Sequence, residues 1–211
     1  MRRNSTKKIP TLSYIISAYD RPTLLPATLW SIYAQTHEDF ECLVTDNASD
    51  PAMSVRQRKI VESMRDPRFK YVRTYDKVDV EDCYWSAEYG MKQTTGQWLC
   101  FPCDDCYYPP EWGQRMLAAA YTQNLDLVLC GDSVTGPVTC GSGRYFRLEL
   151  GTVAFPGYKP SFIVKRDVFP EWINKPTVTA CSGVDRTTLQ YMIRDPRIKW
   201  GVARDLFYVH N

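Results

Sequence analysis

Apolar residues along this chain come in short β-rich blocks separated by stretches with helical spacing. Leu12 to Ala18 is an apolar run stopped by Asp20-Arg21-Pro22. After it, Leu25, Leu29, Ile32 and Tyr33 recur on one helical face, with Thr23 placed to cap the helix. Phe40 to Thr45 reads as a second strand and the polar cluster from Asp46 to Pro51 as a turn. Val55, Ile60, Val61 and Met64 predict a second helix, Phe69 to Arg73 a third strand, and Tyr84 to Thr94 a third helix ending near Gly96. The apolar block Trp98 to Phe101 predicts a fourth strand. Pro110 then opens a helix bearing Trp112, Met116 and Ala120, and Leu127 to Cys130 is the next strand. Strand and helix alternating in this rhythm imply βαβ units and a mainly parallel sheet between helices.

The rhythm breaks after Gly131. Residues 131–160, rich in Gly, Thr and Pro, predict loops and a hairpin. Ser161 to Lys165 is strand-like, Val184 to Ile193 helical, and Leu206 to Val209 a last short strand. No linker divides the halves, so residues 1–211 are expected to form one domain. Its nucleotide-type front half would run over 10–130 and its less regular back half over 131–211.

Composition narrows the function. Lys and Arg number 26 against 24 Asp and Glu, a balance that argues against a nucleic-acid partner. Aromatic residues reach 13%, which suits a site for sugars or bases. No apolar run approaches the ~18 residues of a membrane span. The basic stretch Met1 to Pro10 lacks the apolar region of a signal peptide. The expectation is a cytoplasmic chain whose basic tail is able to touch an anionic membrane. Of the 8 cysteines, Cys42, Cys100 and Cys130 lie in apolar strands and read as small hydrophobes. Cys100, Cys103 and Cys106 form C-x-x-C-x-x-C, but the fourth cysteine and trailing proline of an iron–sulfur run are missing, so free thiols are expected.

The informative residues are carboxylates placed just after apolar strands: Asp20 after the first, Asp46 after the second, Asp104 and Asp105 after the fourth. In an open parallel sheet, ligands bind outside the carboxyl ends of the strands, so these acids would converge on one crevice. The chain has no G-x-G-x-x-G after its first strand and no P-loop. Without a backbone phosphate cradle, an acidic crevice binds a diphosphate through a hard divalent cation, Mn²⁺ or Mg²⁺.

These residues, in order, resemble family 2 glycosyltransferases of the GT-A fold. The resemblance rests on Ser13 to Pro22, Leu29 to Thr36, Phe40 to Asp50 and Thr95 to Asp105, followed by Tyr107-Tyr108-Pro109, and spans roughly residues 10–130. It implies transfer of a sugar from a nucleotide diphosphate sugar to an acceptor hydroxyl of a carbohydrate or glycoconjugate. Ser17, Ala18, Tyr19 and Asp20 would flank the base and ribose. Asp46 would accept from a base N–H, which favours uridine; its other reading is a turn or helix cap. Asp104 would lie near the ribose and Asp105 would bind the metal, the pair's other reading being a solvated turn; His210 would join the metal, its other reading being a frayed surface histidine. Ser182 to Leu189 resembles the family's Gly-Glu-Asp segment with Val184 in place of Glu, which makes Asp185 the general base of an inverting reaction. Its other reading is an acid at a helix N-terminus. Ser86-Ala87-Glu88-Tyr89-Gly90 departs from the family's Ala-Arg-Asn-x-Gly, leaving Arg73 or Lys77 to meet the diphosphate.

Two other functions share some of these features. A nucleotidyltransferase also binds nucleotide and Mg²⁺ on such a sheet, but needs a basic, Gly-rich loop where Tyr19-Asp20-Arg21-Pro22 stands. A non-catalytic carbohydrate- or nucleotide-sugar-binding scaffold needs an aromatic platform, and the tryptophans are spread along the chain.

Overall fold

The computed structural model describes residues 11–74, 83–134, 162–169, 189 and 192–210. Their elements run β1 (Leu12–Ala18), α1 (Leu25–Tyr33), β2 (Phe40–Asp46), α2 (Pro51–Ser63), β3 (Phe69–Arg73), α3 (Cys83–Gln93), β4 (Trp98–Cys100), β5 (Cys106–Tyr107), α4 (Trp112–Thr122), β6 (Leu127–Val134), β7 (Phe162–Lys165) and β8 (Trp200–His210). The strands form one sheet in the order β3-β2-β1-β4-β7-β6-β8-β5. β1 to β4 are mutually parallel, β7 is antiparallel to both β4 and β6, β8 is parallel to β6, and β5 is antiparallel to β8. The sheet is therefore mainly parallel, as expected, with two reversed strands.

Alternation along β1 sets the layers. Leu12, Tyr14, Ile16 and Ala18 join Leu25, Leu29 and Ile32 of α1, Val61 of α2, and Trp112 and Met116 of α4 in one core. Ile15 faces the other way, into a core with Leu99, Phe101, Leu129, Phe162, Leu189 and Met192. Helices thus cover both faces, the condition for a buried parallel sheet. α3 lies very close to β1: a Cβ added to Gly90 would stand 2.4 Å from Ile15 Cγ2. Cys42, Cys100 and Cys130 are buried and reduced, in keeping with their reading as small hydrophobes.

Several local expectations differ from the structure. Thr23 does not cap α1. Leu24 is the N-cap without a side-chain bond, because Pro26 lacks an N–H and Ala27 N is satisfied by Leu24 O at 3.2 Å. α2 is capped by Asp50, whose carboxylate accepts from Ala52 N at 2.9 Å. Val55 is 52% exposed, while Ser54 and Gln57 are buried on the face turned to the sheet. β8 starts at Trp200, not Leu206, and β5 had no counterpart in the sequence pattern. Leu189 and Met192 to Arg194 are helical, as expected; the rest of that segment and the hairpin expected within 131–160 lie outside the described residues.

Candidate functional site

The carboxyl ends of β1, β2, β3 and β4 share one edge, and their loops are tied to one another. Asp46 stands opposite Ala18 in register, and Asn47 N donates to Ala18 O at 2.9 Å. Asp20 N donates to Ser49 Oγ at 3.0 Å, and Asp20 Oδ1 accepts from Asp50 N at 2.8 Å. Asp20 and Ala48 hold φ values of 50° and 52°, left-handed conformations that turn each loop sharply at the strand end. Ser17 bridges Cys103, which carries the link to the loop after β4. Ser17, Ala18, Tyr19, Asp20, Asp46, Asp104 and Asp105 therefore gather on the strand ends and linked loops of one sheet edge.

Asp46 is fully buried. Its Oδ1 accepts from Ser49 N at 2.9 Å, the bond that closes the turn, and its Oδ2 accepts from the Tyr71 hydroxyl. Arg73 Nε lies 3.9 Å from Oδ2, and Arg73 Nη2 donates to Ser49 O at 2.6 Å. Burial, and then the neighbouring Asp46, hold the Tyr71 phenol well above its ordinary pKa, so it remains a donor. The polar face of α2 completes this network through Ser54 Oγ, 2.7 Å from Tyr71 Oη, and Gln57 Nε2, 3.4 Å from Ser49 Oγ.

Asp104 and Asp105 share one cation from the chain itself. Arg21 Nη2 donates to Asp104 Oδ1 at 2.5 Å, and Arg21 Nη1 to Asp105 Oδ2 at 2.9 Å. The Arg21 side chain is 51% exposed, Asp104 wholly buried and Asp105 7% exposed. Burial raises Asp104 to about 7; Arg21 pulls it down and Asp105 pushes it up again. Burial works against the Arg21 guanidinium, but Asp104 and then Asp105 outweigh it and bind its proton more firmly. Asp104 Oδ2 is buried with no hydrogen-bond partner among the described residues, and so are Asn47 Oδ1 and Arg73 Nε on the neighbouring strand ends. Buried polar atoms left unpaired are costly, and these three, along with Gln57 Oε1 beside them and Tyr14 Oη in the core, call for a partner such as water or a bound polar group.

The carboxylate pair suits a hard divalent cation with oxygen ligands. β8 runs in the same sense as β1, and its last residue, His210, stands opposite Cys106 in register, one residue beyond Asp105. The His210 side chain and all of Asp185 lie outside what is described, as does Lys77. The sequence reading missed three participants: Arg21, Tyr71 and Thr28, whose Oγ1 accepts from Cys106 N at 3.1 Å. A basic residue three positions beyond a strand end was the available signal for Arg21. Nothing local marks Tyr71 or Thr28, whose roles arise only from packing. No helix among the described residues is long and apolar enough to cross a membrane.

Comparison with known structures gives the same architecture. TarS of S. aureus superposes with a TM-score of 0.69 at 17% identity over 95% of this chain and 36% of that one. Its 1–349 fragment in complex with UDP-GlcNAc gives 0.68 at 18% identity, over 94% of this chain and 58% of that one. The mannosyltransferase PcManGT from Pyrobaculum calidifontis, in complex with GDP-Man and Mn²⁺, gives 0.63 at 16% identity, over 97% and 57%. The chain thus spans between about a third and three fifths of the length of these structures. No curated protein matches it by sequence. The family model "Glycosyl transferase family 2" matches residues 13–136, which include β2, β3, β4, all of β1 but Leu12, and every acid of the strand-end cluster, and the chain belongs to that family.

Proposed function

We propose that this chain transfers a sugar from a nucleotide diphosphate sugar, with uridine the favoured base, to an acceptor hydroxyl, with inversion at the anomeric carbon. The observation that carries this reading is the unpaired, buried Asp104 Oδ2 beside the Asp105 carboxylate, at the edge where Asp46 ends β2. Asp104 offers an acceptor for a ribose hydroxyl. Asp46 uses one hydrogen bond on each oxygen, and each carboxylate oxygen has two lone pairs, so it keeps capacity for the imide N–H of uracil. Ser17, Ala18, Tyr19 and Asp20 form the wall beside it.

Asp105, with His210, would hold Mn²⁺ or Mg²⁺; when bound, such a cation neutralises charge on the departing diphosphate. Arg21, half exposed and already aimed at this pair, is free to turn its guanidinium toward the diphosphate once the acids have another partner. Asp185 takes the proton of the acceptor hydroxyl as its oxygen attacks, and a single displacement leaves an inverted product. The single-domain reading of 1–211, with donor contacts in 10–130 and acceptor contacts in 131–211, and the cytoplasmic location with peripheral membrane contact belong to the same proposal.

Isothermal calorimetry tests it. UDP is expected to bind more tightly than ADP or CMP, to lose most of its affinity in EDTA, and to lose the EDTA-sensitive part in Asp105→Ala. Equal binding of ADP, or indifference to EDTA, overturns the donor assignment.

A further inference from the structure

The sequence run C-x-x-C-x-x-C is split by the fold. Cys100 is buried in the core on β4, whereas Cys103 and Cys106 turn back toward each other around Asp105. One ligand atom from each of Cys103, Asp105 and Cys106 lies within 4.8 Å of the other two. We propose that these three residues form a site for a thiophilic divalent cation of the zinc class, distinct in chemistry from the hard-cation role of the carboxylates.

Three observations support it. The first is dimension. Zinc bonds of about 2.3 Å to sulfur and about 2.1 Å to oxygen, at tetrahedral angles, place two sulfurs about 3.8 Å apart and sulfur and oxygen about 3.6 Å apart. Cys106 Sγ is 3.9 Å from Asp105 Oδ1, and the whole triad fits within 4.8 Å, so side-chain torsions alone can close the set. The second is how Asp105 divides its oxygens. Oδ2 faces Arg21 at 2.9 Å, while Oδ1 is the oxygen beside the thiol, so a cation at the thiols leaves the Arg21 bond in place. The third is anchorage. Cys103 is bridged to Ser17 at the end of β1, and Cys106 begins β5 with its N–H held by Thr28 Oγ1 of α1. Both thiols therefore stand on paired backbone, which lowers the ordering cost of assembling the ligands.

The donor set selects the metal. Two thiols and one carboxylate favour Zn²⁺ or Cd²⁺ over Mg²⁺ and Mn²⁺, which prefer all-oxygen shells. A fourth, tetrahedral position remains for water or a phosphate oxygen. A cation held here ties the Asp104–Asp105 loop to the ends of β1 and α1, and fixes the carboxylates that face the donor.

Cobalt(II) is the probe, because thiolate ligation gives an intense near-ultraviolet charge-transfer band that oxygen ligation does not. Titrating the full chain with Co²⁺, without nucleotide, should give that band saturating at one cobalt per chain, and Zn²⁺ should bleach it where equimolar Mg²⁺ does not. Cys103→Ser and Cys106→Ser should each abolish it and Asp105→Asn should weaken Co²⁺ binding tenfold or more. Cys103 is the less buried of the two thiols, so its variant decides the matter should Cys106→Ser fold poorly. Asp46→Asn should keep the band while losing affinity for UDP, which separates this site from the donor reading. Cobalt bound without the band, or a band that survives in Cys103→Ser, overturns the proposal.

Discussion

Replacing Arg21 by alanine tests how the acid pair is balanced. The substitution removes the side-chain cation that Asp104 Oδ1 has among the described residues and leaves two carboxylates side by side, one of them fully buried. Breaking a buried pair by removing one partner costs about 3–5 kcal/mol, and an exposed pair is worth under about 1. Arg21 is half exposed while its partners are not, so the cost lies between these limits, at about 1–3 kcal/mol. For a domain of this size that lowers Tm by about 2–12 °C in EDTA. The same free energy must reappear in metal binding. In the wild type, a hard cation that takes the carboxylate oxygens has to displace the guanidinium; in Arg21→Ala it does not. Mn²⁺ should therefore bind the variant about 5–150-fold more tightly, the ratio that 1–3 kcal/mol of coupling gives. Differential scanning fluorimetry in EDTA and a Mn²⁺ titration by calorimetry give the two halves. If Tm falls and Mn²⁺ affinity stays where it was, Arg21 and the metal do not compete, and the reasoning fails.

Other outcomes follow from single residues. Asp104 titrates at about 7 in the folded chain against about 3.9 when unfolded. Between those values the native state holds a proton that the unfolded state has lost, so this residue's contribution to stability falls as pH rises from about 4 to about 7, by up to about 4 kcal/mol in total. Asp104→Asn should therefore gain on the wild type over that interval in EDTA; parallel Tm-against-pH curves would refute this. Asp185→Asn should leave UDP affinity unchanged and cut transfer about 10²–10⁴-fold, with NMR of the wild-type product showing inversion; a stability loss without a turnover loss returns Asp185 to a helix-terminal role. Gly90→Ala should destabilise by about 1–3 kcal/mol in urea titrations, because the new methyl overlaps Ile15 and overpacking outweighs the gain in helix propensity of up to about 1 kcal/mol.

What the sequence revealed and concealed follows the range of the forces involved. β1 and β3 are found at the residues where the sequence predicts them: β1 because burial on both faces leaves a continuous apolar run, and β3, an edge strand with Lys70 exposed, because its aromatic and β-branched residues suit a half-buried pleated surface. The acids were legible for a related reason: a carboxylate directly after a buried strand has nowhere to go but the strand-end loop. The direction of β7 was not legible, since an apolar tetrapeptide reads the same whether its neighbour runs parallel or antiparallel. β5 has two residues and its partner lies a hundred residues further along the chain. No local period encodes such a pairing. α2 misled differently. Its apolar positions suggested Val55 as a core residue, yet Ser54 and Gln57 are buried on the same face as Val61, because the first turns of that face serve the hydroxyl of Tyr71 and the turn at Ser49 while Val61 reaches the hydrophobic core.

That inversion on α2 bears on the two readings of Asp46, as a turn-forming acid and as a base-reading one. The structure gives it the first job: Oδ1 closes the turn at Ser49. A turn cap alone, however, needs no buried phenol on its other oxygen, no arginine 3.9 Å away, and no helix face made polar to hold that phenol. An exposed asparagine or serine would close the same turn at far lower desolvation cost. Tyr71, Arg73, Ser54 and Gln57 together fix the carboxylate in one orientation at the end of β2. Such rigidity adds little to a turn but is what a hydrogen-bond acceptor needs in order to discriminate one base edge from another, since a misplaced acceptor loses the geometry on which discrimination rests. On the donor reading proposed above, the turn and the recognition role are therefore compatible: the turn orients the carboxylate, the buried network keeps it there, and the remaining lone pairs are the ones a base N–H would meet.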